Sequence, residues 1–424
     1  MKLKVTPSRV NGTISVPGSK SHSIRAVAIA CMASGESVIR APLISEDTIS
    51  CVKAARAFGA EISMEDGVWR VKGTGGKLHD PKQILDMGNS GTSLRIFSGL
   101  AATAPFPVRF DGDSSLRTRL MAPLLSGIEQ LGAKTSSTNG KCPLSIHGPM
   151  HGGSAEIEGN SSQFVSAMLF AAPLLAGNTK IHVSNLNEKP YVEITIDWLR
   201  KQEIQFANSP DFSFFEFKGG QQYKPFSMSI PADFSTATFP LVAAAVTRGK
   251  VRIMNLDFSD RQGDKAVFEH LAHMGAVVER GPEWTEVFLD HGLHGVQLDL
   301  NATPDALPAL AVAACFAEGR TILGNVPQAR IKETDRIACM TRELRKMGAQ
   351  ITELQDGMII DGSPMRGADL ESHGDHRIAM ALAIAGLAAE GESRINAAEC
   401  AAVTYPDFVA DFQKIGAKFT PLGD

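Results

Sequence analysis

The densest group of reactive side chains in this sequence is Pro17-Gly18-Ser19-Lys20-Ser21-His22-Ser23-Ile24-Arg25. On a helix beginning near Ser21, Arg25 lies one turn on, on the same side as Ser21. A helix start carries unsatisfied N–H groups and partial positive charge, so a Lys, two hydroxyls and an Arg around it suit a phosphate or carboxylate. A Ser N-cap with solvated cations explains the same residues, because Gly-Ser-Lys-Ser lacks the GxxxxGK[ST] spacing of a nucleotide loop. A second group, Gly88-Asn89-Ser90-Gly91-Thr92-Ser93-Leu94-Arg95, pairs glycines with small polar residues, and Gly91 allows a ligand close to the backbone. In Asp111-Gly112-Asp113-Ser114-Ser115-Leu116-Arg117-Thr118-Arg119, either arginine could clamp an oxyanion, although a structural turn accounts for Asp-Gly-Asp equally well. Asn160-Ser161-Ser162-Gln163 precedes an almost wholly apolar stretch, and Tyr191 follows Lys189-Pro190 where it could reach a sugar-like ligand or simply pack.

The second half of the chain adds acids. Asp305 follows Pro304 at a helix start, where an acid also serves as an ordinary cap. Lys332-Glu333-Thr334-Asp335-Arg336 interleaves charges, with Glu333 and Arg336 at i, i+3; a solvated turn is the plain alternative. Asp375-His376-Arg377 stands directly before the apolar run Ile378–Ala389, and three ionisable groups against such a wall are costly as decoration. No His-x-x-x-His or clustered His/Cys spacing accompanies them, so no metal is expected. Taken jointly, cations and acids at matching helix starts point to an enzyme for a multiply anionic small molecule, with Asp305 and Glu333 as acid–base groups.

What positions these groups is a repeat of roughly 70 residues, present six times. A Gly-Ala pair closes an amphipathic stretch at Gly59-Ala60, Gly132-Ala133, Gly275-Ala276, Gly348-Ala349 and Gly416-Ala417, while the third copy has Lys201-Gln202-Glu203 there. A second series, Gly35, Gly177, Gly249, Gly319 and Gly391, ends Ala-rich helices. Six clusters, beginning at Ser19, Asn89, Asn160, Asp233, Pro304 and Gly374, lie at the starts of Ala-rich helices, of which the second, Thr92 to Ala104, lacks the closing Gly. The fourth copy reads as helix Ser235–Arg248, strand Lys250–Leu256, helix Gly263–Met274, then a hairpin of Val277–Arg280 and Glu286–Asp290. The N-terminal segments Lys2–Thr6 and Thr13–Val16 belong to no complete copy, and the sixth copy runs out of chain, so both are expected to supply its missing strands. This predicts one domain over 17–230 and a discontinuous one from 1–16 plus 231–424, hinged at two crossings, with a ligand held in the cleft.

The 424 residues exceed one ordinary core, which favours two domains of about 200 residues each. A formal net charge of −4 argues against nucleic acid or a membrane surface as partner. The longest apolar runs fall short of the roughly 20 residues that span a bilayer, and the start has no signal-peptide pattern. The six cysteines show no CxxC pairing and are expected to be reduced core thiols in a cytoplasmic protein.

Gly18-Ser19-Lys20-Ser21…Arg25, Gly88-Asn89-Ser90-Gly91-Thr92, Ser161-Ser162-Gln163, Pro304-Asp305-Ala306, Lys332-Glu333-Thr334-Asp335-Arg336 and Asp375-His376-Arg377 together resemble the 5-enolpyruvylshikimate-3-phosphate synthase family of enolpyruvyltransferases. The resemblance implies an α/β fold: a two-domain inside-out α/β barrel in which each domain holds three βαβαββ units. It implies transfer of the enolpyruvyl group of phosphoenolpyruvate to the 5-hydroxyl of shikimate 3-phosphate, by a monomer without metal or organic cofactor. By the same resemblance, Lys20, Ser21, Arg25, Ser161, Ser162, Gln163, Tyr191, Asp305 and Lys332 would hold shikimate 3-phosphate. Lys20, Gly91, Arg119, Gln163, Arg336, His376 and Arg377 would hold phosphoenolpyruvate. Asp305 would act as base toward the 5-hydroxyl, with Glu333 and Lys20 moving protons at the enolpyruvyl group.

Three positions depart from the family pattern. Val403 stands where a lysine usually precedes the segment Thr404-Tyr405-Pro406-Asp407, and Ile96 and Leu120 replace prolines that commonly follow the two arginines. Two other readings remain at this point: a substrate-binding paralogue with lost turnover, suggested by Val403, and the sister enolpyruvyltransferase acting on UDP-N-acetylglucosamine. The sister family carries a reactive Cys in the loop that here reads Asp113-Ser114-Ser115.

Overall fold

The computed structural model describes residues 1–423. Contacts divide the chain into two compact units, Gly18–Pro231 and the discontinuous pair Met1–Pro17 with Ala232–Asp424. Six four-stranded sheets share one plan. In the second copy, the short leading strand Ile84–Asp86 runs parallel to Pro107–Asp111, which pairs antiparallel with Lys141–His147, itself paired with the edge strand Lys134–Thr138. A parallel pair needs a crossover, and the helix Gly91–Ala101 supplies it.

The terminal segments complete the repeat differently from the sequence expectation. Lys2–Thr6 does enter the sheet of copy six, between Ser393–Asn396 and Lys418–Leu422. The next strand, observed at Asn11–Ser15, instead pairs in parallel with Lys250–Met254 and so opens copy four. The same device closes the other unit, where Ser227–Ser229 lies parallel to Glu36–Arg40 and gives copy one its leading strand. The physical reason is that a crossover helix needs a parallel strand before it. Copies one and four each begin where the chain crosses between units, so that strand has to come from elsewhere.

The Gly-Ala pairs end the outer helices in left-handed turns, with φ near +100° at Gly59, Gly132, Gly275, Gly348 and Gly416. The third copy keeps the turn without the glycine: Glu203 takes φ +57°, and the Ile204 N–H reaches Leu199 O as the Ala60 N–H reaches Ala55 O.

The Ala-rich helices form the cores. Phe234–Val246 is buried at every position, as are nearly all residues of Lys20–Met32, Gly91–Ala101, Ser162–Ala171, Leu307–Cys315 and His376–Ala388. A helix apolar on all sides has no solvent face, and its small side chains let neighbours approach closely. Among the described residues, no helix is long and apolar enough to cross a membrane.

Two helices of the unit Gly18–Pro231 approach closely at Gly99, where an added Cβ would stand 2.5 Å from the Ala167 carbonyl oxygen. That neighbour is backbone and cannot swing away. Gly99→Ala is therefore expected to destabilise the protein by about 1–3 kcal/mol, despite the better helix propensity of alanine. Urea denaturation checks this, and an unchanged or raised midpoint would contradict the packing argument.

Candidate active site

The starts of the buried helices gather the polar groups, and each unit solves the resulting electrostatics in its own way. In Gly18–Pro231, Arg25 is 1% exposed and sits one turn into its helix. Its Nε donates to Thr195 Oγ1, one Nη to the Ser21 carbonyl, and the other to Ser166 Oγ and the Tyr191 carbonyl. All four acceptors are neutral, and burial lowers the guanidinium to about 10. One of its five N–H groups remains for a ligand. Lys20, at the first position of the same helix, pairs with Asp47 at 3.0 Å. Asp47 is nearly buried, and its second carboxylate oxygen has no protein partner.

Around the next helix start, Ser90 caps by accepting from the Ser93 N–H. Gly91 is required here for space: a Cβ would lie 2.9 Å from an Arg119 Nη and 3.0 Å from an Arg95 Nη. Arg95 reaches Gln163 Oε1 at 2.5 Å and the Leu120 carbonyl at 3.2 Å, so Leu120 contributes through its backbone. Arg119 donates to Asn89 and Ser115. The two candidate clamp arginines separate: Arg119 joins this group, while Arg117 is exposed and forks onto Asp111 at 2.8 and 2.6 Å. At the third start, Ser161 accepts from the Gln163 N–H, and Ser162 donates to the buried Glu188.

In the other unit the central group is Arg336, also 1% exposed. Its guanidinium touches three carboxylates from three segments: Asp375 at 2.7 Å, Asp305 at 2.8 Å and Glu333 at 2.6 Å. Burial works against its charge, yet Asp375, Glu333 and Asp305 hold its pKa above the ordinary value. Arg377 binds the second oxygen of Asp305 at 2.9 Å. Burial alone would raise the Asp305 carboxyl, but Arg377, then Lys332 and Arg336, hold it well below the usual carboxylate range. Asp375 also caps the helix His376–Ala388 through the Arg377 N–H, and His376 is buried beside it. The interleaved segment 332–336 is thus no solvated turn: Asp335 caps the helix Arg336–Lys346, and the Glu333–Arg336 pair is shielded from water.

The sequence-chosen residues fall into these two sets. One holds Lys20, Ser21, Arg25, Gly91, Arg119, Ser161, Ser162, Gln163 and Tyr191. The other holds Asp305, Lys332, Glu333, Arg336, His376 and Arg377. Sequence reasoning missed Asp47, Glu188 and Asp264. Asp264 receives the Ser235 hydroxyl at 2.5 Å, and burial followed by the charge of Asp305 raises it to about 6, against the lowering effects of Arg377 and Ser235. The available signal for Asp47 and Asp264 was weak, since each reads as an acid in the first turn of a helix. Among the described residues, no group of three or more His, Cys, Asp or Glu side chains could hold a metal ion.

The family model for EPSP synthase (3-phosphoshikimate 1-carboxyvinyltransferase) matches residues 5–412. The 3-phosphoshikimate 1-carboxyvinyltransferase of Acetivibrio thermocellus is 48% identical over 419 residues, covering 98% of this chain and 99% of its own. That of Ruminiclostridium cellulolyticum is 46% identical, covering 99% of both chains. Among solved structures, an EPSP synthase from Acinetobacter baumannii superposes with a TM-score of 0.82 at 30% identity, covering 99% of both chains.

The raised Asp264 carboxyl gives a pH test. Its folded pKa, about 6, lies above the unfolded one, so the folded state binds this proton more tightly. Its contribution to stability is complete below the unfolded value and is lost as pH rises through about 6. Relative to the wild type, Asp264→Asn is expected to gain about 2 kcal/mol between pH of about 4.5 and about 7.5, read by urea denaturation. A pH-independent difference between the two proteins would contradict the assignment.

Proposed function

The chain belongs to the EPSP synthase family, and from that premise we propose how its two sets of side chains transfer the enolpyruvyl group of phosphoenolpyruvate to the 5-hydroxyl of shikimate 3-phosphate, releasing phosphate. The observation that carries the reading is Asp305, a carboxylate held ionised by Arg377, Lys332 and Arg336. Such a carboxylate is a weak base at rest. It takes the hydroxyl proton only once bonding to carbon has made that proton acidic, which couples deprotonation to attack.

In the proposed sequence, Glu333 or Lys20 delivers a proton to C3 of phosphoenolpyruvate, leaving C2 with oxocarbenium character. The 5-hydroxyl oxygen then bonds to C2 as its proton passes to Asp305, giving a tetrahedral ketal. Loss of a C3 proton re-forms the double bond, and the C2–O bond to phosphate breaks. Glu333 is suited to its part because Arg336, at 2.6 Å, stabilises its ionised form after the proton has left.

Substrate charge is met most strongly by a cation whose protein partners are neutral. Arg25 supports this for shikimate 3-phosphate, because its acceptors are neutral and one N–H remains; Ser21, Ser161, Ser162, Gln163, Tyr191 and Lys332 complete the proposed set. For phosphoenolpyruvate the proposed set is Lys20, Gly91, Arg119, Gln163, Arg336, His376 and Arg377. Val403 closes the short turn Ala398–Val403 and brings no charge, so this set carries the role that the family gives to a lysine there. A binding paralogue or a UDP-N-acetylglucosamine enzyme is not favoured, since the relatives reported above are named for the phosphoshikimate reaction.

Phosphate release from phosphoenolpyruvate and shikimate 3-phosphate tests the activity directly. Asp305→Ala is expected to lower kcat by about 10²–10⁴, and unchanged turnover would overturn the mechanism. For Gly91→Ala, the new methyl presses on Arg119 and Arg95. The expected result is a KM for phosphoenolpyruvate raised about tenfold, equivalent to the loss of one charged hydrogen bond. The KM for shikimate 3-phosphate should change less. Equal changes in both would place the pressure elsewhere.

A further inference from the structure

Ser161 and Ser162 are adjacent, yet their hydroxyls are not equivalent. Ser162 Oγ donates to Glu188 Oε2 at 2.7 Å, and the Ser162 backbone N–H points at the same oxygen from 3.4 Å. An oxygen receiving two donors acts as an acceptor, so the single hydroxyl proton of Ser162 is spent on Glu188. Only lone pairs remain on Ser162, and lone pairs do not bind a phosphate. Ser161 has the opposite polarity: its Oγ accepts the Gln163 N–H at 3.4 Å and keeps its own proton to give.

Glu188 is itself an unusual residue for this task. It is 1% exposed and takes a left-handed conformation, φ +57°, immediately before the helix Lys189–Lys201. A non-glycine residue in that region is strained, and a buried carboxylate is costly, so both are retained only where the surroundings hold them. The Glu188 carbonyl receives the Tyr191 N–H at 3.0 Å, and the Tyr191 carbonyl in turn receives Arg25. Glu188 therefore sits between the serine pair and the cation proposed for the substrate's anionic group.

We propose that Glu188 withdraws the Ser162 hydroxyl from anion recognition, leaving Ser161 as the one hydroxyl of the pair that donates to the phosphate of the substrate. The proposal rests on the reading of this site as the shikimate 3-phosphate subsite and revises it at Ser162, whose oxygen is left to accept from a ring hydroxyl that both probes below carry. Within it, Glu188 is a specificity residue: it fixes how many hydroxyl donors the phosphate meets.

The test uses calorimetric titration with two probes, shikimate 3-phosphate and unphosphorylated shikimate, and reads the ratio of their affinities. General damage to the site moves both affinities and leaves the ratio alone. Ser161→Ala is expected to lower the ratio about tenfold, the worth of one hydrogen bond to a charged group, whereas Ser162→Ala should leave it unchanged. Glu188→Met, which removes the acceptor at similar length, should raise the ratio, and Glu188→Met combined with Ser162→Ala should abolish that gain. A fall in the ratio for Ser162→Ala matching that for Ser161→Ala would overturn the proposal, as would an unchanged ratio in Glu188→Met. Should Glu188→Met fail to fold, the two serine variants decide the matter alone. A wild-type ratio near one would overturn the substrate reading itself, and the proposal with it.

Discussion

A helix buried on every side can meet polar partners only at its ends. Six helices of this chain are in that position, from Lys20–Met32 to His376–Ala388. Their first-turn N–H groups must be satisfied there, by caps such as Ser90, Ser161, Asp233 and Asp375. The constraint forces polar residues into clusters bordered by apolar walls. Charges in such clusters are poorly screened, so each one is either compensated locally or left to recruit a ligand.

Arg25 and Arg336 show the two outcomes. Both are 1% exposed, and each commits four of its five N–H groups within the protein. Arg25 spends them on hydroxyls and carbonyls, which orient the guanidinium without cancelling its charge. Burial then makes the cation costly, and a phosphate or carboxylate placed beside it would relieve that cost. Arg336 spends its groups on Asp375, Asp305 and Glu333, which more than cancel it. The surplus negative charge is divided unevenly: Asp305 also faces Arg377 and stays ionised, while Asp264, which feels Asp305, holds its proton more tightly. One set is thus electrostatically suited to anions, and the other holds acids at different strengths.

Much of this was legible in the chain because the repeat repeats its chemistry. Gly-Ala pairs marked helix ends, and polar clusters before Ala-rich runs marked many of the candidate residues, though not Arg119 or the segment 332–336. What escaped has physical reasons. The position of Asn11–Ser15 depended on which sheet lacked a parallel leading strand, and that is a property of closing each unit rather than of the local pattern. Glu188 escaped because its partner Ser162 lies 26 residues away and because its conformation suits glycine or asparagine. Glu203 looked like a break in the repeat, yet it adopts the turn that glycine makes in the other copies, so backbone geometry persisted where the residue type did not.

Asp305, the proposed base, is where these constraints meet. A carboxylate gripped by Arg377 and Arg336 at 2.9 and 2.8 Å would abstract a proton from a free alcohol very poorly. The same grip keeps it ionised and fixed in direction. That suits a reaction in which the electrophile is made first: once C2 is cationic, the attacking hydroxyl becomes a strong acid and needs only an acceptor already in place. A stronger base would gain little at that step and would be protonated for part of the time, idle as an acceptor. In the proposed mechanism the buried arginines trade basicity for readiness, and a base of that kind serves the step order proposed above.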